Sequence, residues 1–317
     1  MSNSPSILIV GSGPMAVEYA KVLRAKNITP VTVGRSVASV QKYQTESGFS
    51  GVAGGIDAWL EKNQNNLPAH AIVAVGERSV GTATLALLAA GIQSILVEKP
   101  GGFDAEDIRE VGAQAREKSA KVAIGYNRRF YAAVEAAKKI IAEDGGVTSF
   151  NFEFTEWGHV ISGLVKEEGV KEQWFLSNST HVIDLAFHLG GKPEQLASFT
   201  GGGVDWHPSA SIFAGAGRAA RGALFSYQAN WTAPGRWSVE MLTSKHRLIF
   251  RPMEKLQIQK IGSVALEAVD VDDVLDQQFK PGLYKQVEAF LAGDNTILPS
   301  IEEQVDMLDI YLKIRGQ

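Results

Sequence analysis

The stretch Ile7-Leu8-Ile9-Val10-Gly11-Ser12-Gly13-Pro14-Met15-Ala16 decides the fold of the first part of the chain. A short apolar run meets two glycines, and an amphipathic helical segment follows. In a nucleotide-binding turn the first glycine, here Gly11, allows a tight exit from the strand, and the second, Gly13, lets backbone approach a pyrophosphate. A small residue such as Ala16 lets the helix pack closely, and the helix N-terminus attracts phosphate. The stretch predicts a dinucleotide-binding turn, with an ordinary strand–turn–helix corner that binds nothing as the alternative.

The composition describes a large, weakly acidic globular chain. It has 317 residues, of which 45% are hydrophobic and 21% charged, with a net charge of −4 and no cysteine. Without cysteine there is no disulfide, thiolate nucleophile or thiolate metal site, which suits a cytoplasmic protein. The chain lacks the basic face of a nucleic-acid binder and any apolar run of membrane-spanning length, and residues 1–5 show no signal-peptide pattern. We expect a cytoplasmic protein whose partner is neither nucleic acid nor membrane.

The first 125 residues alternate between short apolar runs and amphipathic segments. The apolar runs predict strands at 6–10, 29–34, 71–75, 95–97 and 121–125. The amphipathic segments predict helices at 14–26, 58–63, 82–90 and 104–118. Continuous apolar runs of this length are typical of parallel strands buried on both faces. The alternation therefore predicts an α/β dinucleotide-binding Rossmann domain with a doubly wound parallel sheet over residues 1–125.

The pattern changes in residues 126–317. Over 147–157, Phe150, Phe152 and Phe154 alternate with mostly polar residues, which predicts a half-exposed antiparallel strand. Similar segments follow at 195–200, 222–230, 237–242, 247–250 and 255–260, and helices are predicted at 130–142, 179–189, 283–291 and 301–314. We expect residues 126–317 to form an α+β substrate-binding domain with a mostly antiparallel open sheet. The final helices are also able to pack back on the first domain.

The second predicted strand ends in Gly34-Arg35-Ser36. In a dinucleotide fold this end faces the adenine ribose, where an acidic residue favours NAD and repels the 2′-phosphate of NADP. Here Gly34 leaves room, Arg35 offers charge-assisted hydrogen bonds to a phosphate, and Ser36 offers another donor. The stretch favours NADP over NAD, and a solvated loop arginine is the alternative.

Glu98-Lys99-Pro100 follows the buried run at 95–97. Ligands of open α/β sheets bind beyond the carboxyl ends of the strands, which puts Lys99 within reach of a substrate beside a bound nicotinamide. A lysine in that position can hold a hydroxyl or accept its proton. The alternative is a surface turn, since proline is common in turns.

His181, Asp184 and His188 recur at helical spacing within the predicted helix 179–189. His181 lies near the helix start and is a candidate general acid/base, because imidazole titrates near neutral pH. Asp184 could orient it or bind a sugar hydroxyl. Two histidines two turns apart suit one metal ion poorly, and no metal site is predicted. A buried or capping histidine without a role is the alternative.

Polar and aromatic residues near the boundary between the two halves are candidate substrate contacts. Asn127 and Arg128 lie at that boundary, and Asn178 precedes the histidine helix. One of the two arginines is alternatively an interdomain ion-pair partner, and Arg129 is interpreted as that structural residue. Trp157 is a candidate stacking surface for a sugar ring, with ordinary core packing as the favoured alternative.

Four stretches together resemble the Gfo/Idh/MocA family of NAD(P)-dependent oxidoreductases, which is similar to the glucose–fructose oxidoreductases and inositol dehydrogenases. The stretches are 11–16, 98–100, 125–130 and 181–184. The resemblance implies a Rossmann domain joined to an α+β domain whose open sheet often mediates oligomers, here a dimer or tetramer. It implies that Lys99 and His181 flank the nicotinamide, with Lys99 aiding binding and proton transfer and His181 acting as acid/base. It also implies a cis peptide bond before Pro100.

The cofactor contacts expected from this resemblance lie in the turns that follow the parallel strands. They are Gly11, Ser12, Gly13, Pro14, Met15, Arg35, Ser36, Val75, Gly76, Glu98, Lys99, Pro100 and Asn127. The chain departs from the family pattern at two places. Family members often carry Asp four residues before the active-site histidine, and this chain has Ser177 there. They also often have Thr-Pro and a later histidine after the strand predicted at 71–75, and this chain has Gly76-Glu77-Arg78-Ser79-Val80 there. The carboxylate partner of His181 and the cofactor contacts of this loop are therefore open.

These features predict an oxidoreductase that transfers a hydride between nicotinamide and a carbinol or carbonyl carbon of a sugar, polyol or nucleotide-linked sugar. His181 would move the hydroxyl proton, and Lys99 would stabilise the developing oxyanion. The predicted substrate contacts are Asn127, Arg128, Asn178, Asp184 and Trp157. One alternative is reduction of an imine, enamine or tetrapyrrole on the same scaffold. Another is a dinucleotide-binding sensor or partner protein without turnover.

Overall fold

The chain forms two compact units. The computed structural model describes residues 7–317, so residues 1–5 and residue 6, the first of the predicted N-terminal strand, lie outside the described part. The first unit runs from the N-terminal strand through Asn127 and includes Gln277–Asp306. The second unit comprises Arg128–Asp276 and Met307–Gln317.

The first unit is built on a six-stranded parallel sheet. Its strands are β1 Ile7–Val10, β2 Val31–Gly34, β3 Val52–Ala53, β4 His70–Val73, β5 Ser94–Val97 and β6 Lys121–Ile124. They lie in the order β3-β2-β1-β4-β5-β6, and every pairing is parallel. This is the strand order of a dinucleotide-binding Rossmann sheet. The order in which successive strands are added to the sheet reverses between β1 and β4, while all strands stay parallel. The predicted doubly wound parallel sheet is confirmed.

Helices connect these strands. They are α1 Pro14–Ala25, α2 Val37–Ser47, α3 Ile56–Asn63, α4 Val80–Ala90 and α5 Ala105–Glu117. The sequence analysis did not predict α2, because its buried stripe is narrow and consists of Val40, Tyr43 and Ser47. Its caps do carry a sequence signal. The Oγ atom of Ser36 accepts the N–H of Ser39, and Gly48 ends the helix in the left-handed conformation with φ 70°.

The second unit contains an eight-stranded sheet. Its strands are β7 Ser149–Glu153, β8 Pro193–Gly201, β9 Ile212–Ala219, β10 Leu224–Asn230, β11 Ser238–Leu242, β12 His246–Phe250, β13 Gln257–Lys260 and β14 Glu267–Ala268. They lie in the order β14-β13-β12-β11-β7-β10-β9-β8. All neighbours pair antiparallel except β7 and β10, which pair parallel. The predicted mostly antiparallel open sheet is confirmed.

Strand β9 was not predicted from the sequence. After Ile212 and Phe213, its residues are mostly glycine and alanine, which lack the strand preference of β-branched and aromatic residues. The tertiary structure explains the glycines, because a Cβ on Gly215 would overlap the ring of Tyr227 and one on Gly217 would crowd the ring of Phe225. Both rings belong to β10, which pairs with β9 along its length. Cross-strand packing, not strand propensity, therefore determines this element.

The remaining helices are α6 Ala132–Glu143, α7 Gly158–Ser162, α8 Thr180–Gly190, α9 Val274–Gln278, α10 Leu283–Ala292 and α11 Ile301–Arg315. Helix α8 lies on β7 and β11, where the ring of Phe187 meets Phe150 and Phe152 edge-on. A Cβ on Gly190 would overlap the Phe150 ring, so the last turn of α8 approaches the sheet closely. In the described residues, 7–317, no helix combines the length and apolarity needed to cross a membrane.

Candidate active site

The turn after β1 leaves an open space at the N-terminus of α1. Gly11 has φ 119°, and a Cβ on it would overlap the carbonyl oxygen of Ala74. A Cβ on Gly13 would have no heavy atom within 4 Å, and Gly13 is exposed. The first helical hydrogen bond runs from the N–H of Val17 to the oxygen of Gly13 at 3.2 Å, so the N–H groups of the preceding turn have no partner within the helix. This open, donor-rich space fits a pyrophosphate.

The turn after β2 lies directly beside this space. A Cβ on Gly34 would overlap the Oγ atom of Ser12, so this position requires a glycine. Arg35 is exposed. The Oγ atom of Ser36 accepts the N–H of Ser39 at 3.2 Å, and the hydroxyl of Ser12 donates to the Oγ atom of Ser39 at 2.9 Å. The hydroxyl of Ser36 also donates to the Oγ atom of Ser39 at 3.0 Å. The helix cap therefore uses both an acceptor and the donor of Ser36, while Arg35 is exposed to solvent.

Val75 and Gly76 lie at the carboxyl end of β4, next to β1 in the sheet. Gly76 is exposed, and a Cβ on it would have no heavy atom within 4 Å. A 3₁₀ turn over Glu77–Ser79 follows and leads into α4. The loop that departs from the family pattern is therefore short and leaves open space along the edge of the sheet where Gly11 and Gly13 lie.

Glu98 anchors the end of β5 to other parts of the first unit. Its Oε1 atom accepts the hydroxyl of Tyr19 at 2.6 Å, and the Nε2 atom of Gln286 donates to the same hydroxyl oxygen at 3.0 Å. Burial raises the pKa of Tyr19 well above its ordinary value, and the charge of Glu98 raises it further. Tyr19 therefore keeps its proton, and its hydroxyl holds the Glu98 carboxylate at the base of the turn that carries Lys99.

The turn after β5 is also held at Pro100, on the C-terminal side of Lys99. The Lys99–Pro100 peptide bond is cis, as the resemblance implied, and Lys99 is half-buried. The Nε2 atom of Gln304 donates to the oxygen of Pro100 and to the hydroxyl of Tyr126, both at 3.1 Å. Asn127, which is buried, donates its side-chain N–H to the oxygen of Pro281 at 2.9 Å. Lys99 therefore projects from a rigid turn at the carboxyl end of the parallel sheet.

In the second unit, His181 lies in the first turn of α8. A π-helical turn over Phe175–Ser179 runs directly into this helix. His181 is 7% exposed, and its ring centroid lies 6.1 Å from that of Trp237. The hydroxyl of Ser177, which stands where the family often has Asp, donates to the oxygen of Trp174 at 3.4 Å. The Ser177 hydroxyl is therefore bonded to the backbone of its own turn.

A buried carboxylate that the sequence analysis did not select contacts the same turn. Both oxygens of Glu156 accept the side-chain N–H of Asn178, at 3.0 and 3.1 Å, and Oε1 accepts the hydroxyl of Ser179 at 2.9 Å. Burial raises the pKa of Glu156 above its ordinary value, although these hydrogen bonds oppose the shift. The available signal was an acidic residue just after the alternating Phe150–Phe154 pattern, where a strand leads into a candidate site.

Arg129 and Asp184 form a buried ion pair. The Nε atom of Arg129 donates to Oδ2 of Asp184 at 2.9 Å, and its Nη2 atom donates to Oδ1 at 2.6 Å. The two side chains are 7% and 5% exposed. Asp184 of α8 is therefore held by a residue outside that helix. Arg129 forms an ion pair, as the sequence suggested, but both partners belong to the second unit, so the pair is not interdomain. On the same helix, burial together with the charges of Arg129 and Lys138 lowers the pKa of His188 to about 3, so His188 is neutral.

Arginine and tryptophan side chains stack on one another beside His181. The guanidinium of Arg128 lies 4.9 Å from the ring centroid of Trp237. The guanidinium of Arg236 lies 4.9 Å from Trp237 and 4.8 Å from Trp157. Trp157 is 48% exposed, and its ring N–H donates to the oxygen of Gly235 at 3.0 Å. The second unit therefore has a row of cation–π contacts that runs from the buried ring of Trp237, beside His181, to the half-exposed ring of Trp157.

Comparisons with known proteins agree with this architecture. Residues 6–126 match the GFO_IDH_MocA family, described as an oxidoreductase family with an NAD-binding Rossmann fold. No curated protein sequence matches the chain.

Solved structures resemble the chain over nearly its whole length. Levoglucosan dehydrogenase in complex with NADH and L-sorbose is 18% identical, with a TM-score of 0.78 over 98% of this chain and 95% of that chain. UDP-N-acetylglucosamine 3-dehydrogenase GnnA from Acidithiobacillus ferrooxidans is 16% identical, with a TM-score of 0.74 over 98% and 96%. An oxidoreductase from Desulfitobacterium hafniense, described as NADPH-dependent, is 18% identical, with a TM-score of 0.79 over 98% and 94%. At these identities the likeness establishes the fold.

Proposed function

We propose that this protein is an NADP-preferring oxidoreductase acting on a CH–OH group of a sugar, polyol or nucleotide-linked sugar. The match of residues 6–126 to the Gfo/Idh/MocA oxidoreductase family supports the reaction class. The observation that carries the proposal is the open, donor-rich space at Gly13, on the same edge of the parallel sheet as the rigid turn of Lys99. When bound there, the dinucleotide supplies the hydride acceptor or donor through its nicotinamide ring. The sugar dehydrogenases among the similar structures support the substrate class.

The chain's own residues divide the binding of the dinucleotide among the turns after the strands. Backbone N–H groups of the turn from Gly11 to Met15 hold the pyrophosphate, because an exposed helix N-terminus attracts anions. Arg35 holds a 2′-phosphate as a charge-assisted donor, and the hydroxyl of Ser36 turns from Ser39 to the phosphate as a second donor. The remaining contacts come from Val75, Gly76, Glu98, Lys99, Pro100 and Asn127.

Lys99 and His181 have the catalytic roles in this proposal. The ammonium group of Lys99 stabilises negative charge that develops on the substrate oxygen, and the imidazole of His181 moves the hydroxyl proton. Asn127, Arg128, Asn178, Asp184 and Trp157 bind the substrate. Since both oxygens of Asp184 already accept from Arg129, Asp184 contributes through its remaining lone pairs.

We also propose that the protein is a cytoplasmic homo-oligomer, a dimer or tetramer, assembled through the outer face of the eight-stranded sheet. Phe199, Ile212 and Leu224 are 71%, 40% and 57% exposed. The strand register puts them on one face, opposite the buried rings of β10. Exposed apolar side chains grouped on a sheet face are typical of a surface that another chain covers.

Parallel titrations of NADPH and NADH test the cofactor assignment on the wild-type protein, Arg35→Ala and the control Lys42→Ala. Lys42 is an exposed lysine of α2, so the control removes the same charge from the neighbouring helix. We expect NADPH to bind more tightly than NADH, Arg35→Ala to abolish that preference, and Lys42→Ala to retain it. Equal or tighter NADH binding to the wild type would contradict the NADP assignment, and binding of neither dinucleotide would contradict the proposed function.

A further inference from the structure

A cavity of about 880 Å³ opens on the second unit. It lies between the segment 157–162, the loop 203–206 and the turn 231–234, and its walls include Trp157, Trp206 and Trp231. Small-molecule sites usually have volumes of roughly 300–1,000 Å³. The cavity is therefore large enough for more than a single monosaccharide ring, and the residues that line it all belong to one unit.

The inner wall of the cavity is a fixed aromatic platform. The rings of Trp206 and Trp231 are stacked, with centroids 5.5 Å apart and an interplanar angle of 4°. Trp231 is 1% exposed, and its ring N–H donates to the oxygen of Phe154 at 3.3 Å. Trp174 meets the edge of Trp206 at 6.4 Å. Trp206 is only partly buried, so it offers ring surface on a rigid backing that loses little conformational freedom when a ligand binds.

The outer wall is Trp157, which is ordered although it is half exposed. The guanidinium of Arg236 lies 4.8 Å from the ring centroid of Trp157. The ring N–H of Trp157 donates to the oxygen of Gly235. A Cβ on Gly158 would overlap the carbonyl oxygen of Trp231, so the close backbone approach at this position requires a glycine. An indole fixed in this way leaves apolar ring surface in water that a ligand would cover.

The polar groups of the cavity favour an uncharged, hydroxyl-rich ligand. Asp205, His159 and Ser162 line the wall and provide acceptors and donors for hydroxyl groups. Within the described part of the chain, the residues that line the cavity include no lysine or arginine. A diphosphate would need such cations and would be repelled by Asp205. A sugar ring, with apolar C–H faces and hydroxyl edges, matches both the indoles and the polar groups.

We infer that this cavity is a carbohydrate subsite that binds a second sugar ring of the substrate, stacked on Trp157 or Trp206. The inference rests on the proposed function for the substrate class. Arg236 contacts the rings of both Trp157 and Trp237, and Trp237 lies beside His181, so a chain of contacts links the wall of the cavity to the acid/base residue. The subsite makes a disaccharide or glycoside a better substrate than a free monosaccharide.

The test measures sugar binding to the cofactor-free protein by calorimetry and tryptophan fluorescence. The probes are glucose, cellobiose, maltose, gentiobiose and UDP. The variants are Trp157→Ala, Trp206→Ala and the control Ile261→Ala, an exposed apolar residue of the same unit outside the cavity lining. We expect at least one disaccharide to bind tenfold or more tightly than glucose. We expect the two tryptophan variants to abolish that preference and Ile261→Ala to retain it.

A further variant, Asp205→Asn, leaves the aromatic walls intact and keeps the test usable if a tryptophan variant does not fold. We expect it to weaken disaccharide binding several-fold while glucose binding stays unchanged. Equal binding of glucose and all three disaccharides, no binding of any sugar, or a preference that survives in Trp157→Ala and Trp206→Ala would overturn the inference. Binding of UDP in place of the sugars would overturn it in favour of a nucleotide subsite. Sugar binding is measured without dinucleotide, so its failure is distinct from the failure of the NADPH titration.

Discussion

Both carboxylate oxygens of Glu156 accept hydrogen bonds from the side-chain amide of Asn178, at 3.0 and 3.1 Å. Asn178 lies three residues before His181, in the π-helical turn that leads into α8. A residue that follows a sheet strand therefore sets the geometry of the segment that carries the candidate acid/base. The family often has a carboxylate at the position of Ser177, whereas in this chain the carboxylate that contacts the turn comes from Glu156.

Glu156→Gln is expected to change the pH dependence of stability. The folded state raises the pKa of Glu156 above its ordinary value of 4.5, mainly through burial. Its stabilising contribution is therefore complete below the unfolded pKa and is lost as the pH rises through the folded pKa. Glutamine cannot ionise, so the free energy of unfolding of the wild type should fall relative to that of the variant as the pH rises.

Urea unfolding at stepped pH measures this difference. Glu110→Gln is a suitable control, because Glu110 is an exposed glutamate on α5. We expect the control to follow the wild-type curve. A constant difference between the wild type and Glu156→Gln at every pH would show that Glu156 ionises in the folded protein as it does in the unfolded chain.

Breaking the ion pair between Arg129 and Asp184 is expected to destabilise the second unit. Asp184→Asn and Arg129→Met each leave a buried polar group without its partner, which typically costs about 3–5 kcal/mol of unfolding free energy. The double variant Arg129→Met/Asp184→Leu removes both charges and should recover much of that loss. A double-mutant cycle by urea unfolding measures the coupling, and additive losses would contradict a direct interaction.

The two glycines of the first turn should respond differently to alanine. Gly11→Ala brings a Cβ onto the oxygen of Ala74 at φ 119° and should cost roughly 1–3 kcal/mol or more of stability. Gly13 has φ −85° and open space around it, so Gly13→Ala should change stability by less than about 1 kcal/mol. It should nevertheless weaken NADPH binding at least tenfold, because the new methyl group occupies the space assigned to the pyrophosphate. Unaltered NADPH affinity in a folded Gly13→Ala protein would place the dinucleotide elsewhere.

Lys99→Ala and His181→Ala are each expected to slow turnover at least roughly tenfold, about 1.4 kcal/mol in the barrier. The measurement is kcat and KM on a sugar substrate with NADPH or NADP present. Lys121→Ala is the control, because Lys121 is an exposed lysine at the opposite end of a parallel strand. If a substrate is turned over and neither change slows it, the catalytic assignment is wrong.

Asp144 and His246 should contribute to acid stability. Oδ2 of Asp144 lies 2.7 Å from Nδ1 of His246 and accepts the hydroxyl of Thr243 at 2.7 Å. Burial by itself raises the pKa of Asp144, but these hydrogen bonds outweigh it and lower the pKa below the ordinary value of 3.8. The stabilisation is therefore present above the unfolded pKa and is lost as the pH falls through the folded pKa.

Asp144→Asn should lower the free energy of unfolding at neutral pH, and the difference from wild type should shrink in acid. Glu143→Gln, an exposed neighbour on α6, is the matched control and should have little effect. Urea unfolding at neutral and acid pH checks both. A loss of stability in Asp144→Asn that persists undiminished in acid would rule out the carboxylate charge as its cause.

The sequence by itself determined the sheet types of both halves and the cofactor turn. Buried parallel strands need continuous apolar runs, and the half-exposed strand needs the Phe150–Phe154 alternation. A side chain on Gly11 would overlap the backbone oxygen of Ala74. These are local signals, because each depends on the periodicity or the sterics of a few consecutive residues. Helix α2 and strand β9 were not predicted, because their local sequence signal is weak and packing against distant residues determines them.

Only the tertiary structure decided which polar side chains meet. Asp184 is bonded to Arg129, 55 residues away, and Glu156 to Asn178, 22 residues away. The stacked indoles of Trp206 and Trp231 likewise come from separate loops. Such contacts carry no periodic signal, because their partners are chosen by how the strands and helices bring side chains together and by the cost of burying a polar group without a partner. Sequence therefore predicted the kinds of groups in the candidate site, and folding determined their pairing.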